Sequence, residues 1–186
     1  MDLAAVAAPP GGAVDLPALA VGVDLSPAML RRARAEAPPL AAPARRHLVL
    51  GELGALPFGD GSFDLAWCRL TVGFLPSLAA PLAELARVLA PGGELVLTEL
   101  HPECVDEGSV RSFRDADGVL AAVEHHLHPA AALIAAAAAA GLGTVAREEL
   151  VVGEAVRYAF DAPGAERVYR ELLGRPAVLA LRLQRR

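Results

Sequence analysis

An acidic residue follows the first apolar run of the chain that is typical of a buried strand. Residues 19–23 are LAVGV, as in a strand covered on both faces of a parallel sheet, and Asp24 comes directly after them. A carboxylate offers two acceptor oxygens and no competing donor, so Asp24 at a strand end could accept hydrogen bonds from both hydroxyls of a ribose. Asp24 could instead simply cap the following helix, and its position alone does not separate the two roles.

Four histidines in the second half of the chain stand where they could exchange protons with a ligand. His101 directly follows a predicted strand, and His125, His126 and His128 precede an alanine-rich segment. An imidazole titrates near neutral pH and can act as a general base on an acceptor hydroxyl. The plainer alternative is that each is a surface or helix-capping histidine. We expect His101 and His128 to be the catalytic pair and to approach each other beyond the strand ends, beneath a hairpin over 110–126.

The elements that must position these residues alternate between strand and helix. Ser26 and Pro27 suit the start of a helix, because the hydroxyl can cap it and the missing proline N–H costs nothing there. A second helix is predicted from Ser77. The predicted parallel strands are residues 19–23, 48–50, 63–68 and 94–100. This alternation predicts an α/β, Rossmann-like sheet with helices on both faces, and we expect Val21 and Val96 to lie in that one sheet.

The later part of the chain changes character. An Asp-Gly turn favours an inserted hairpin within residues 105–127, over the side where an acceptor would bind. A helix over 128–140 follows, closed by a glycine. Two antiparallel strands, 145–152 and 177–183, are expected to close one side of the sheet, and 154–174 to be helical in part. No linker marks a boundary, so residues 1–186 are predicted to form a single domain, with 1–18 irregular.

Composition excludes several classes of protein. Hydrophobic residues make up 54% of the 186, which can supply a core for one domain, and the net charge of −5 argues against a nucleic-acid or anionic membrane surface. Cys68 and Cys104 have no CxxC partner and predict neither a metal site nor a disulfide framework. Reduced thiols, with no long uninterrupted apolar run, favour a cytoplasmic protein that binds no membrane.

Three motifs in order give the most specific signal. Residues 24–30 (DLSPAML), 56–65 (LPFGDGSFDL) and 87–97 (RVLAPGGELVL) resemble the corresponding motifs of class I S-adenosylmethionine-dependent methyltransferases that act on small molecules. The resemblance covers residues 19–100 firmly and the remainder more loosely. It implies S-adenosylmethionine as the cofactor and methyl transfer to a small-molecule acceptor.

The resemblance also implies roles for particular residues. Asp24 would hold the ribose, with Leu25 and Met29 near the adenine, although both could equally be core residues. Glu52 stands where the family usually has an Asp that accepts from the adenine amino group. The cofactor would be flanked by Leu53 and by the end of the third predicted strand, at Arg69 and Leu70.

The start of the chain departs from the family pattern. Members carry a strand, an acidic residue and GxGxG about twenty residues before the ribose Asp, and these glycines let the backbone approach the amino-acid moiety of the cofactor. Here residues 2–8 have Ala and Val at those positions, and Gly11 and Gly12 come too late. The start is incomplete, misread from another frame, or degraded; we favour an incomplete or misread start.

Two other functions compete with methyl transfer. A nicotinamide dehydrogenase shares the acidic residue after the second strand but needs GxGxxG after the first, and that motif is missing. A methyltransferase-like domain that binds a ligand or partner without turnover is favoured by the lost glycine loop. The residues do not identify the methyl acceptor or the oligomeric state.

Overall fold

The computed structural model describes residues 19–36, 45–102, 111–114, 119–154, 157 and 165–186; for 111–114 it describes the backbone. The expectations for residues 1–18 and for the Asp-Gly turn lie outside the described residues. The described elements, in chain order, are β1 (Leu19–Asp24), α1 (Pro27–Glu36), β2 (Arg45–Leu50), β3 (Phe63–Arg69), a 3-10 turn (Val72–Phe74), α2 (Ala79–Val88), β4 (Leu89–Leu100), β5 (Arg111–Arg114), β6 (Leu120–Val123), α3 (Ala130–Ala139), β7 (Leu142–Val151), α4 (Ala165–Leu172) and β8 (Pro176–Arg185).

The first unit is a parallel strand pair joined by a helix. β1 pairs with β2 from Leu19 opposite Arg45 to Asp24 opposite Leu50. α1 begins at Pro27 as predicted, and the Ser26 hydroxyl accepts the Met29 N–H at 3.3 Å. Every residue of β1 and β2 is at least partly exposed, so neither strand has the continuous burial that its apolar sequence predicts.

The second unit is a four-stranded sheet in the order β3-β4-β8-β7. β3 runs parallel to β4, while β8 is antiparallel to both β4 and β7. The predicted antiparallel strands are therefore present, with the later one inserted between β4 and the earlier one. In the described part of the chain, Val21 and Val96 lie in different sheets, so the expectation of one sheet holding both is wrong for these residues.

The hydrophobic core lies against one face of the four-stranded sheet. β4 and β8 alternate along their length, and the leucines on one face, including Leu95, Leu97, Leu179 and Leu181, are at most 1% exposed. Helices α2 and α3 pack on this face with a stripe of buried residues at helical spacing. The buried residues of these helices are Pro81, Leu82, Leu85, Ala86 and Val88 in α2, and Leu133 and Ala137 in α3.

The starts of α2 and β4 are among the element boundaries that differ from the sequence prediction. α2 begins at Ala79 rather than Ser77, and Leu78 precedes it without a side-chain cap. β4 begins at Leu89, ahead of the Pro-Gly-Gly segment, because Leu89 already pairs with Phe63 before the register shifts. Gly92, at φ +79, supplies the left-handed backbone that this irregular start requires.

The hairpin is present as an antiparallel pair of β5 and β6, with Arg111 opposite Val123 and Arg114 opposite Leu120. Its placement over an acceptor site and the bounds 105–127 stay predictions. The alanine-rich helix is confirmed as α3, which ends before Gly141 at φ +84. The expectation of some helix within 154–174 is met by α4.

Candidate active site

Asp24 lies at the carboxyl end of β1 and already makes one hydrogen bond. Its Oδ1 accepts the Ser26 N–H at 2.7 Å, which closes a turn before α1, whereas the helix itself is capped by Ser26, so the helix-capping alternative for Asp24 is wrong. A carboxylate has about four lone-pair sites on two oxygens, so Oδ2 remains able to accept from a ribose hydroxyl. The turn and a ribose contact are therefore compatible, and the hydrogen bond to Ser26 fixes the direction of the carboxylate.

The ends of β1 and β2 come together beside Asp24. The Gly51 N–H donates to the Asp24 carbonyl at 3.2 Å, and the exposed Glu52 follows at once. A Cβ on Gly51 would stand 3.1 Å from Val23 Cγ1, so a larger residue there would press on the Val23 side chain. Two carboxylates, Asp24 and Glu52, thus follow adjacent strand ends, the place where open parallel sheets bind ligands.

The apolar residues predicted to contact the cofactor differ in exposure. Leu25 is 71% exposed, so the alternative that it packs in the core is wrong. Met29 is partly buried on α1. Leu53 is partly buried against the main core. An exposed leucine directly after Asp24 leaves apolar surface available to a flat ring.

β3 ends in a strained turn. Arg69 lies opposite Thr98 of β4, and its guanidinium stands 5.8 Å from the centre of the Trp67 ring. Leu70 has φ 48, which side chains other than glycine rarely adopt, and its N–H donates to the Thr98 carbonyl at 2.8 Å. Strain of this kind persists only where the surrounding contacts enforce it, and it clusters at functional sites.

The second and third motifs are joined by one arginine. Arg87 donates to the carbonyls of Leu56 and Phe58 at 3.1 and 2.8 Å, to Asp60 at 2.7 Å and to Glu84 at 2.7 Å. Glu84 in turn accepts the Leu56 N–H at 2.8 Å. Hydrogen bonding from Arg87 lowers the pKa of Glu84 from 4.5 to about 2, against a smaller opposing effect of burial. The Arg of the RVLxPGG motif therefore holds the LPFxDxSFD loop in place.

The predicted catalytic histidines have different neighbours. His101 is 6% exposed, and its backbone N–H donates to the Ala177 carbonyl at 2.9 Å. Its ring Nε2 stands 3.6 Å from Glu149 Oε1. His128 Nε2 stands 2.9 Å from the Leu75 carbonyl oxygen. The described contacts of the two rings thus lie on different elements, and their approach to each other stays a prediction.

Neither Glu99 nor Gly73 was singled out from the sequence as a residue of the site. Glu99 is 3% exposed, and its Oε2 accepts the Gly73 N–H at 2.9 Å. The signal was in the sequence, since Leu95, Leu97 and Glu99 share the two-residue period that places all three on the core face. A charged residue at a buried register position is uncommon without a specific partner.

Comparison with known proteins identifies the domain. Residues 7–97 match the family model described as a methyltransferase domain. Just under half of the chain is therefore similar to this methyltransferase domain family. The match begins before the described residues and ends within β4, so it includes Asp24, Glu52 and the Arg87 network.

Curated relatives match this chain over part of their length. A malonyl-[acyl-carrier protein] O-methyltransferase of Halorhodospira halophila is 41% identical over 85 residues, which is 46% of this chain and 28% of that protein. The protein of the same name from Dechloromonas aromatica is 37% identical over 108 residues, or 58% of this chain and 34% of its own length. The alignments therefore span about a third or less of these relatives.

Solved structures extend the fold comparison to most of the chain. An S-adenosylmethionine dependent methyltransferase from Mesorhizobium loti is 24% identical, covers 89% of this chain and 80% of its own, and has a TM-score of 0.64. A methyltransferase of Methanosarcina mazei gives 16% identity, coverages of 90% and 82%, and a TM-score of 0.63. The predicted fold class, α/β with the Rossmann-like fold of methyltransferases, is confirmed. Among the described residues, no helix is long and apolar enough to span a membrane.

Proposed function

We propose that this chain binds S-adenosylmethionine and transfers its methyl group to a small-molecule acceptor. The observation that carries the proposal is Asp24, whose carboxylate is held at the end of β1 beside the end of β2. That is the edge where a parallel sheet receives a nucleotide-like ligand, and it lies within the segment that matches the family.

The residues around Asp24 fit the nucleoside half of this cofactor. Asp24 Oδ2 would accept from the ribose hydroxyls, the exposed Leu25 would cover a face of the adenine, and Glu52 would accept from its amino group. Met29, Leu53 and Arg69 complete the proposed set. When bound, the cofactor supplies a methyl group on a positively charged sulfur that is already a good leaving group. The task of the chain is then positioning, which can contribute about 7–11 kcal/mol to lowering a barrier.

The acceptor belongs on the side of His101 and His128. In this proposal one of them takes the proton that a hydroxyl or amine acceptor loses as the new bond to the methyl carbon forms. A malonyl thioester on a carrier protein is the first acceptor to test, because curated relatives are named for that substrate. Its carboxylate is already ionised near neutral pH, so for this acceptor the histidines would position the group rather than take a proton. We also propose a cytoplasmic location, since the described cysteine, Cys68, is free and buried.

An alternative is a domain that binds ligand without methyl transfer. One solved structure of similar fold is named as the [4+2]-cyclase SpnF, with 20% identity over 89% of this chain and a TM-score of 0.59. The methyltransferase fold alone therefore does not fix the reaction. Binding of the cofactor and turnover must be measured separately.

The binding experiment uses S-adenosylhomocysteine and calorimetry on wild type, Asp24→Asn and Asp64→Asn. Asparagine keeps an acceptor oxygen for the Ser26 N–H, so the melting temperature of Asp24→Asn should stay within about 2 °C of wild type. Losing the charge-assisted bond should weaken affinity about tenfold to a hundredfold, or ~1.5–3 kcal/mol. Asp64 is exposed near the amino end of β3, away from the carboxyl ends of the strands. Asp64→Asn is therefore the control and should bind S-adenosylhomocysteine like wild type. Unchanged affinity for Asp24→Asn would remove Asp24 from the site.

The turnover experiment follows the labelled methyl group from S-adenosylmethionine to a panel of acceptors. The panel holds a malonyl carrier protein, a malonyl thioester and small molecules with hydroxyl or amine groups. Transfer to any member supports the enzyme. Tight binding with no transfer to the panel favours the alternative, and no binding by the wild type contradicts both.

A further inference from the structure

Glu99 is a buried carboxylate that accepts hydrogen bonds from backbone N–H groups. Oε2 accepts the Gly73 N–H and Oε1 accepts the Leu100 N–H, each at 2.9 Å. Within the described residues no arginine or histidine forms an ion pair with it. Burying a carboxyl group is costly unless its oxygens are hydrogen-bonded, and both oxygens of Glu99 are.

Gly73 is the point where three parts of the chain meet. Its N–H donates to Glu99 at the end of β4, and its carbonyl accepts the His126 N–H at 2.7 Å. A Cβ added to Gly73 would stand 2.5 Å from His125 Nε2 and 3.1 Å from Glu99 Oε1. The imidazole and the carboxylate therefore converge on the same backbone position, and no side chain fits between them.

A second contact joins the same two segments. His128 Nε2 lies 2.9 Å from the Leu75 carbonyl oxygen, and the rings of Phe74 and His125 meet edge to face, 5.8 Å apart. We call residues 71–75 and 125–128 the Gly73 wall. This wall stands beyond the carboxyl ends of β3 and β4, on the side proposed for the acceptor.

The charge of Glu99 also reaches its other neighbours. Burial raises the pKa of the Cys68 thiol to about 12, with a further contribution from the negative charge of Glu99. The thiol on the adjacent strand thus stays protonated.

We infer that Glu99 is a positioning residue for the acceptor side, which fixes the Gly73 wall and the orientation of His125. The assignment of the wall to the acceptor side rests on the proposed function. The claim that Glu99 holds Gly73 and His125 in place does not depend on that function. Glu99 acts through Gly73 and His125 and takes no part in holding the cofactor.

The test combines NMR with calorimetry on the full chain, using Glu99→Gln, Gly73→Ala and the control Glu94→Gln. Glu94 lies on the same strand at its other end and is half-buried beside Arg182. Glycine-selective ¹⁵N labelling reports the Gly73 amide, identified by its loss in Gly73→Ala, and the His125 ring is followed by its Cε1–H signal. In Glu99→Gln we expect the Gly73 amide proton to shift upfield and the His125 signal to move, while both stay in place in Glu94→Gln.

Binding and kinetics separate positioning from a general loss of structure. Affinity for S-adenosylhomocysteine should remain within about twofold of wild type in Glu99→Gln and Gly73→Ala. If the malonyl carrier protein is methylated, its KM should rise about tenfold in both variants, the loss expected for about one misplaced hydrogen bond. If it is not methylated, the proposed acceptor fails while the NMR result still decides the role of Glu99.

Two outcomes in Glu99→Gln overturn the inference. Unmoved Gly73 and His125 signals in Glu99→Gln would show that the carboxylate does not hold the wall. A loss of S-adenosylhomocysteine affinity as large as that of Asp24→Asn would place Glu99 in the cofactor site or in the general fold. Should Glu99→Gln fail to fold, Gly73→Ala still tests the wall, because its Cβ would displace His125 and press on Glu99 Oε1, and an unmoved His125 signal in that variant would overturn the inference.

Discussion

At the scale of single residues, the site depends on groups that serve the backbone and a ligand together. Asp24 caps a turn with one oxygen and presents the other at a strand end. Capping restricts the rotamers of the side chain before any ligand arrives, so less conformational entropy is lost on binding. Glu84 also has two partners, since it accepts a backbone N–H and forms an ion pair with Arg87.

The strain at Leu70 predicts an unusual order of stabilities. Leu70 sits at φ 48, whereas the nearby Leu75 has an ordinary extended backbone at φ −113 and ψ 128. Both Leu70→Ala and Leu70→Gly remove the side chain, but only glycine adopts a positive φ freely, so Leu70→Gly should be more stable by about 1 kcal/mol. At Leu75 the order should reverse. Urea unfolding of the four variants measures it, and Ala more stable than Gly at both positions would contradict the strain.

The Glu84 carboxylate predicts a pH dependence. Its pKa falls from 4.5 to about 2 in the folded chain because Arg87 donates to the charged form. The stabilisation is therefore fully present above pH 4.5 and is lost as the pH drops from 4.5 towards 2. Wild type should melt higher than Glu84→Gln at pH 7, and the difference should shrink towards pH 3. Melting curves across this range test it, with the exposed pair variant Glu36→Gln as a control; a difference that is constant with pH would contradict the assignment.

At the scale of elements, periodic patterns were the reliable guide. The capped start of α1 and the apolar stripe of α2 followed from local chemistry, and both are confirmed. The early start of β4 was missed, because a strand can pass through Pro91 and Gly92 where a register shift absorbs them. The role of Gly73 could not be predicted, because it depends on a contact with Glu99 that only the folded chain creates.

The two sheets should differ in local stability. β1 and β2 have no buried residue, while β4 and β8 share a face of fully buried leucines. Local opening requires little free energy where few apolar contacts are lost. Hydrogen exchange followed by mass spectrometry should show amides of β1 and β2 exchanging at least about tenfold faster, or ~1.4 kcal/mol, than those of β4 and β8. Equal protection in the two sheets would contradict this expectation.

At the scale of the whole molecule, β1 and β3 are among the strands with an edge that has no partner among the described residues. β1 ends the two-stranded sheet and β3 ends the four-stranded one. Leu19 and Leu65 on these strands are 50% and 43% exposed. The sequence predicts no working glycine-rich loop in residues 1–17, and that prediction lies outside the described residues.

This arrangement predicts the effect of supplying a strand, a GxGxG loop and a helix ahead of Leu19. The added strand should pair with the open edges of β1 and β3, so the melting temperature should increase. The loop should let the backbone approach the methionine moiety, so the rise in melting temperature on adding S-adenosylhomocysteine should increase as well. A fusion of equal length with alanines in the loop is the control, and it should gain stability without the ligand effect. If the chain as it stands already shows an equal ligand-induced rise, our interpretation of its N-terminus is wrong.

The strand order of the larger sheet has a consequence for synthesis. β7 hydrogen-bonds to β8 in the described structure, yet β8 follows it along the chain and lies between it and β4. A ribosome adds roughly 5–20 residues per second, so β7 leaves the exit tunnel about a second or more before the strand that docks it. During that interval its exposed Val145, Leu150 and Val151 are available to any other strand edge. During this stage the nascent chain has an unpaired strand with exposed apolar residues, which a holding chaperone could cover.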